Sequence, residues 1–270
     1  MAFFICSDCG FGSGSWIGKC PDCGQWNTLK EQPNFEKSSN KKGEAVKKIT
    51  ITSLSKIKPS LKSRQSTGIF EFDRVLGGGV VPGEVILLTG QPGIGKSTLV
   101  LQAFQKLKVL YISGEESAEQ VKNRAERLSV NLDNLSFSSD LQIESIIRSL
   151  EEIKDEIDIV IIDSVQTIYS KNIEGPVAGV SQLKEVTKKI INFAKQSKIS
   201  VLLIGHINKE GDIAGPKTLE HFVDCVLELE GEKISNFRLL RASKNRFGST
   251  DEIGIFEMKQ KGLSEVKNPL

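Results

Sequence analysis

The chain has 270 residues, 39% apolar and 26% charged, a balance that suits a globular protein with room for one large domain and a small one. Its net charge of +2 hides an asymmetry: residues 1–64 carry eleven Lys and Arg against five Asp and Glu, and the remainder is net negative. No apolar run approaches the roughly 20 residues of a membrane-spanning helix, and MAFFIC lacks the basic start and long apolar stretch of a secretory signal, so no membrane association and a cytoplasmic location are expected.

Residues 1–30 hold Cys6, Cys9, Cys20 and Cys23 in the pattern C-x2-C-x10-C-x2-C. Each CxxC turn offers two thiolates, and two such turns complete a tetrahedron, so the pattern points to structural Zn2+ with no place left for a catalytic water. Disulfides are the weaker alternative because nothing marks the chain as secreted. So short a module cannot bury much core, and metal binding would supply its folding energy. Trp16 and Trp26 read as its small core. Residues 31–65 are polar and lysine-rich and read as a basic linker, in which ITITSL (49–54) could add an edge strand.

Residues 66–260 read as an α/β core. VILLT (85–89), KVLYIS (108–113), DIVIID (158–163) and ISVLLIG (199–205) are continuous apolar strands. Between them lie a helix from Lys96 to about Lys106 and amphipathic helices marked by Ala118–Leu128, Ile143–Ile153 and Val180–Phe193. The alternation predicts a mainly parallel sheet covered on both faces. VDCVLELE, FRLLRAS and EIGIFEM then predict an antiparallel extension, with Cys225 as a small core residue and 261–270 as a tail.

GQPGIGKST matches G-x4-G-K-[ST] between a strand and a helix, the context a phosphate-binding loop needs. Gly90, Gln91, Pro92, Gly93, Ile94, Gly95, Lys96, Ser97 and Thr98 are therefore the nucleotide-binding candidates: glycines to wrap the backbone, Lys96 for the β and γ phosphates, Ser97 for Mg2+. Asp163, at the end of DIVIID, is the carboxylate for the metal. The sequence SGEES puts two acids past the next strand end, predicted to lie next to the P-loop strand. Glu115, nearer that end, is the candidate to orient and deprotonate the attacking water, with Glu116 left to cap a helix or reach the metal's water shell.

Taken with CSDCG, GKCPDCGQWNTL, FDRVLGGGVVPGE, YISGEES, DSVQT, GHINKEGDIAGPKTLEH and KNRFGS, these motifs closely resemble the bacterial DNA-repair and recombination family RadA, also called Sms, over essentially the whole chain. The resemblance implies a RecA-type ATPase behind a zinc ribbon, assembled into hexameric rings with ATP between subunits. It implies that Lys244 and Arg246 of KNRFG reach the neighbour's γ-phosphate, and that His206 senses that phosphate. Two loops, 170–181 and 208–221, would line the ring, with Lys171, Lys209 and Lys217 as phosphate contacts for single-stranded and branched DNA; the RecA recombinase would be a partner in branch migration. The family normally continues into a Lon-protease-like domain, and this chain stops at KNPL, about where that domain would begin. A RecA-like signalling or scaffolding ATPase that binds proteins rather than DNA is the alternative reading.

Overall fold

The computed structural model describes residues 3–32, 52–53, 55, 64–206, 217–231 and 236–266. Lys209 and most of ITITSL lie outside these residues, and Thr52 and Ser53 are not in a strand. Two compact units are present, Met1–Ser63 and Arg64–Leu270.

The first unit holds β1 (Phe3–Cys6), β2 (Gly12–Ser13) and β3 (Leu29–Gln32) as an antiparallel sheet in the order β2-β1-β3. β3 runs past residue 30, the limit expected for the ribbon. Each CxxC pair is closed by a tight turn, Gly10 N–H to Cys6 O at 3.0 Å and Gly24 N–H to Cys20 O at 2.9 Å. Both glycines have positive φ, a conformation that costs them little. The interior is made of Cys6, Cys20 and Leu29 packed with Phe4, Cys9 and Phe11. The two tryptophans are not in it, contrary to the sequence reading: Trp16 is 57% and Trp26 68% exposed. Leu29, Phe4 and Phe11 fill the interior beside the cysteines in place of the indoles.

The second unit begins earlier than the expected linker end. The Arg64 guanidinium donates to Leu76 O and Gly79 O, and Gln65 pairs with Val80. In chain order it contains α1 (Phe70–Leu76), β4 (Val85–Gly90), α2 (Lys96–Ala103), β5 (Val109–Ser113), α3 (Ala118–Arg127), β6 (Leu135–Ser138), α4 (Ile143–Glu152), β7 (Ile159–Asp163), α5 (Val180–Ser197), β8 (Ser200–Ile204), α6 (Lys217–Glu220), β9 (Cys225–Glu230), β10 (Phe237–Asn245), β11 (Ile253–Lys259) and β12 (Gly262–Glu265). No helix among the described residues is long and apolar enough to cross a membrane.

The sheet runs β12-β11-β10-β9-β4-β8-β7-β5-β6. From β9 to β6 every pairing is parallel; β10, β11 and β12 are antiparallel additions. The strand β12 lies within the segment read as a tail, and β6 was not anticipated, because LSFS is too short and too polar to announce itself. α2 ends at Ala103 rather than near Lys106: the chain turns at Phe104, whose ring is buried edge-on against Phe72 of α1.

Every residue of β4, β5, β7 and β8 is buried, as strands covered on both faces must be. Alternation sorts their side chains. Ile86, Leu88, Tyr111 and Ile161 join Leu99, Phe104 and Val121 on one face. Val85, Leu87, Ile112 and Ile162 join Ile146, Leu150, Val186 and Ile190 on the other. The helices α4 and α5 carry their apolar residues at three- and four-residue spacing, so each buries one stripe and leaves its charges outside.

Candidate active site and metal centre

The parallel strands point their carboxyl ends to one edge of the sheet, and the loops there carry the polar residues singled out by sequence. Gly90 ends β4 with φ +152; a Cβ there would lie 2.5 Å from Leu229 O, so only glycine lets the loop leave the strand beside β9. Gly95 is the N-cap of α2, with φ +113 and the Met258 methyl 2.8 Å from any Cβ. Gln91, Pro92 and Gly93 are exposed at the loop tip, Ile94 is buried, and Thr98 is half-buried in the first turn of α2. Arg238, at the start of β10, donates from Nε to Ile94 O at 3.1 Å and braces the loop from the antiparallel side.

Lys96 is 4% exposed, and its Nζ donates to Gly90 O at 2.9 Å and Gln91 O at 3.1 Å. An ammonium has three hydrogens, so two hold the loop and the third remains for an anion. Burial pulls its pKa below the ordinary lysine value; the negative charges of Asp163 and Glu115 oppose this. Ser97 Oγ donates to Asp163 Oδ2 at 2.6 Å, and Tyr111 OH donates to the same oxygen at 2.6 Å. The tyrosine is pushed well above its ordinary pKa by burial and then by the adjacent carboxylate, so it stays a donor. A hydroxyl and a carboxylate at this distance, both hard oxygen donors beside the first turn of α2, suit Mg2+.

Glu115 follows β5, and the sequence expectation for its neighbour strand needs correction. β5 is not adjacent to β4: β8 and β7 lie between them, because the chain crosses over from α2 to the outer part of the sheet. Glu115 nonetheless reaches the site, since β5 pairs with β7 with Ser113 opposite Asp163. Ser164 Oγ donates to Glu115 Oε1 at 2.6 Å, while His206 Nε2 stands 3.5 Å from Oε2, an ion-pair distance rather than a hydrogen bond. The His206 carbonyl accepts from Gln166 Nε2 at 3.2 Å. Glu116 turns away. It forms a forked pair with Arg124 of α3, while Ser117 and Gln120, not Glu116, cap that helix through a capping box. Ser164, Gln166, Tyr111 and Arg238 were all missed by sequence reading. Only Ser164, directly after Asp163, carried a positional hint.

Lys244 and Arg246 stand at the other edge. β10 runs antiparallel to β9, with Asn245 opposite Cys225, and β9 starts beside Ile86 near the beginning of β4. Register sets Lys244 level with Leu87 and Arg246 level with Val85, so at 3.3 Å per residue about 10 Å and about 17 Å of strand lie between them and Gly90. Lys244 Nζ donates to Glu220 O at 2.7 Å, and Arg246 Nη1 pairs with Asp224 Oδ1 at 3.0 Å. Burial lowers the Lys244 pKa, and the charge of Arg246 lowers it further. Lys171 is exposed on a segment pinned by Gln182, which accepts from Ser170 N–H at 2.8 Å and donates to Ile173 O at 2.7 Å. Lys217 starts α6; no side-chain position is described for it.

In the ribbon, the four thiols Cys6, Cys9, Cys20 and Cys23 lie within 4.8 Å of one another. Cys6 and Cys23 are 3.7 Å apart and Cys9 and Cys20 3.5 Å. Tetrahedral Zn–S bonds of about 2.3 Å need sulfurs about 3.8 Å apart, so the cluster fits Zn2+. Cys225 is a buried core thiol of β9, remote from this cluster in sequence.

A P-loop at the carboxyl edge of a parallel sheet, with an acid at the end of a nearby strand and a second acid facing it, defines a RecA-like ATPase core. Comparison with known proteins agrees. Residues 53–212 match the family described as an AAA domain, and residues 4–31 match the rubredoxin metal binding domain. The chain is 47% identical to the DNA repair protein RadA of Listeria monocytogenes, 45% to that of Aquifex aeolicus and 46% to that of Bacillus subtilis, in each case over 98% of its own length. It spans 59%, 60% and 60% of those relatives. The crystal structure of the RadB recombinase superposes with a TM-score of 0.57 at 23% identity, covering 75% of this chain and 99% of that one. The chain belongs to the AAA domain family and, within it, is a RadA-like protein: a zinc ribbon joined to a RecA-like ATPase domain.

Proposed function

We propose that the chain is the ATP-driven core of a DNA repair and recombination motor. One observation carries the reading: Lys96, Ser97, Asp163 and Glu115 converge on one edge of the sheet, whereas Lys244 and Arg246 stand at the opposite edge. Neither basic residue contacts the P-loop of its own chain, which supports the role the RadA resemblance gives them, at the nucleotide of a neighbouring copy. In this reading ATP lies on the loop Gly90–Thr98, with Lys96 on its β and γ phosphates. Ser97 and Asp163 hold Mg2+, whose charge offsets that growing on the transferred phosphoryl group. Glu115, held by Ser164 Oγ, orients the attacking water and accepts its proton. His206 reports the γ-phosphate to the loop that follows it. Lys244 and Arg246 of the adjacent copy stabilise the transition-state charge.

The assembly this geometry favours is a closed homo-oligomer, a hexamer on the resemblance given above. Lys171, Lys209 and Lys217 would face single-stranded DNA along its axis, and turnover would drive branch migration beside the RecA recombinase. The DNA repair name of the RadA relatives supports this over a protein-binding scaffold.

The test is ATP hydrolysis with and without single-stranded DNA, with the assembly mass measured alongside. The wild-type chain is expected to hydrolyse ATP faster with DNA, and Lys96→Ala to lose hydrolysis. Undiminished DNA-stimulated turnover in Lys96→Ala refutes the site; turnover indifferent to DNA, with binding insensitive to salt, favours the scaffold.

A further inference from the structure

The segment Lys244–Gly248 is held at several points: the Arg64 guanidinium donates to Phe247 O, and further bonds fix its other residues. Asn245 Nδ2 donates to Leu76 O at 3.3 Å, its Oδ1 accepts Phe247 N–H at 2.9 Å, and Lys244 Nζ spans Glu220 O and His221 O at 2.7 and 3.3 Å. These are bonds to backbone. Arg246 differs: its Nη1 meets the Asp224 carboxylate at 3.0 Å, and its N–H donates to Asp224 O at 3.0 Å. Among the described residues, Asp224 is the one acid in an ion pair with either basic residue.

Asp224 is 4% exposed and divides its two oxygens. Oδ1 takes Arg246, while Oδ2 accepts Val85 N–H at 3.1 Å, and Asp224 N–H donates to Val85 O at 2.9 Å. The carboxylate is thus fixed to the first residue of β4, the strand that ends in the P-loop. A buried carboxylate that loses its cation is left uncompensated, which is strongly unfavourable, so Asp224 holds the guanidinium firmly. The Arg246 side chain is 48% exposed, and a guanidinium carries five N–H donors in one plane. One edge can rest on Asp224 while another faces an anion outside the chain.

We propose that Asp224 is a positioning residue that aims Arg246 at the phosphate of a neighbouring copy without contacting it. The proposal rests on the reading of Lys244 and Arg246 as acting between subunits. Asp224 orients the guanidinium before the neighbour arrives, so Arg246 need not be ordered during turnover. It also couples the two edges of one sheet, because the carboxylate that aims the arginine is bonded to the base of the P-loop strand.

The experiment uses full-length chains with ATP and single-stranded DNA. Asp224→Asn keeps an oxygen for Val85 N–H and removes the charge under Arg246. It is expected to lower kcat by about tenfold or more with KM for ATP nearly unchanged. Mixing it with an excess of Lys96→Ala chains, which cannot hydrolyse ATP but carry a well-aimed Arg246, is expected to restore turnover at the Asp224→Asn sites. Arg246→Ala with Lys96→Ala is the reference mixture. Full turnover in Asp224→Asn alone overturns the proposal, as does a loss that Lys96→Ala chains fail to rescue while the reference mixture recovers. If the reference mixture also fails, the inter-subunit reading itself is wrong and the proposal falls with it. Should Asp224→Asn not fold, Asp224→Glu, which displaces the charge by one methylene, goes through the same mixtures; full turnover in it overturns the proposal equally.

Discussion

Two adjacent acids, Glu115 and Glu116, show how single side chains acquire different roles. Ser113 Oγ accepts both backbone N–H groups, at 3.3 and 3.1 Å, and so fixes the turn. The partners then divide the acids: Ser164 draws Glu115 toward Asp163, and Arg124 draws Glu116 onto α3. On the role proposed for Glu115, Glu115→Gln removes the proton acceptor and keeps the shape, so kcat should fall by about 10²–10⁴ while nucleotide binding survives. Steady-state hydrolysis beside fluorescent-nucleotide titration checks this; an unchanged kcat would remove Glu115 from the chemistry. Glu115 was legible from its place at a strand end. Its hydroxyl partner was not, because Ser164 follows β7, far away in sequence, and meets Glu115 only through the pairing of β5 with β7.

At the scale of elements, the residue just before β4 is an unusual acid. Glu84 is 1% exposed, accepts Val81 N–H at 2.9 Å through Oε2, and leaves Oε1 without a hydrogen bond. Burial, and then the Asp224 charge, push its pKa from 4.5 up to about 7 against the pull of the Val81 bond. The folded chain therefore holds this proton more tightly than the unfolded one. That contribution to stability is complete below pH 4.5 and is lost as pH rises to about 7. Glu84→Gln keeps the acceptor and cannot ionise, so it should stabilise the core by about 2 kcal/mol near pH 8 and much less near pH 4. Urea melts at the two pH values decide; a destabilised variant at the higher pH would contradict the assignment. The ribbon gives a second prediction at this scale. Its small interior cannot hold it together without the metal, so a strong chelator should release one zinc per chain and change the fluorescence of Trp16 and Trp26. A metal-sensitive dye counts the zinc, and melting of the core, which has apolar clusters of its own, should be unaffected.

For the whole molecule, the decisive feature is that one sheet presents two chemically unlike edges. The P-loop edge gathers hydroxyls, carboxylates and one lysine, and the opposite edge presents Lys244 and Arg246. On the role proposed for Lys244 and Arg246, one protomer's site would be completed by a second copy meeting it head to tail, a contact that closes into a ring when the rotation allows. If the axis of that ring takes DNA, binding should weaken steeply with salt, at a slope of about −0.7 per phosphate contact on a single strand. Lys171→Ala should lower that slope by about one contact without changing hydrolysis in the absence of DNA. Fluorescence anisotropy over a salt series measures it, and a slope near zero in the wild-type chain would dismiss a phosphate-bound strand.

Local chemistry settled much of this protein before any coordinates. A nucleotide loop needs its glycines and lysine in sequence, a zinc knuckle needs its cysteines in adjacent turns, and buried strands need unbroken apolar runs, so all three are visible in the order of residues. What depends on which strands become neighbours was not visible. The chain alone did not reveal that β8 and β7 separate β5 from β4, that β12 completes the sheet, or that Asp224 lies under Arg246. Nor did it reveal that both tryptophans face outward. Those facts follow from register and close packing between segments distant in sequence, where no short-range pattern of residues records the outcome.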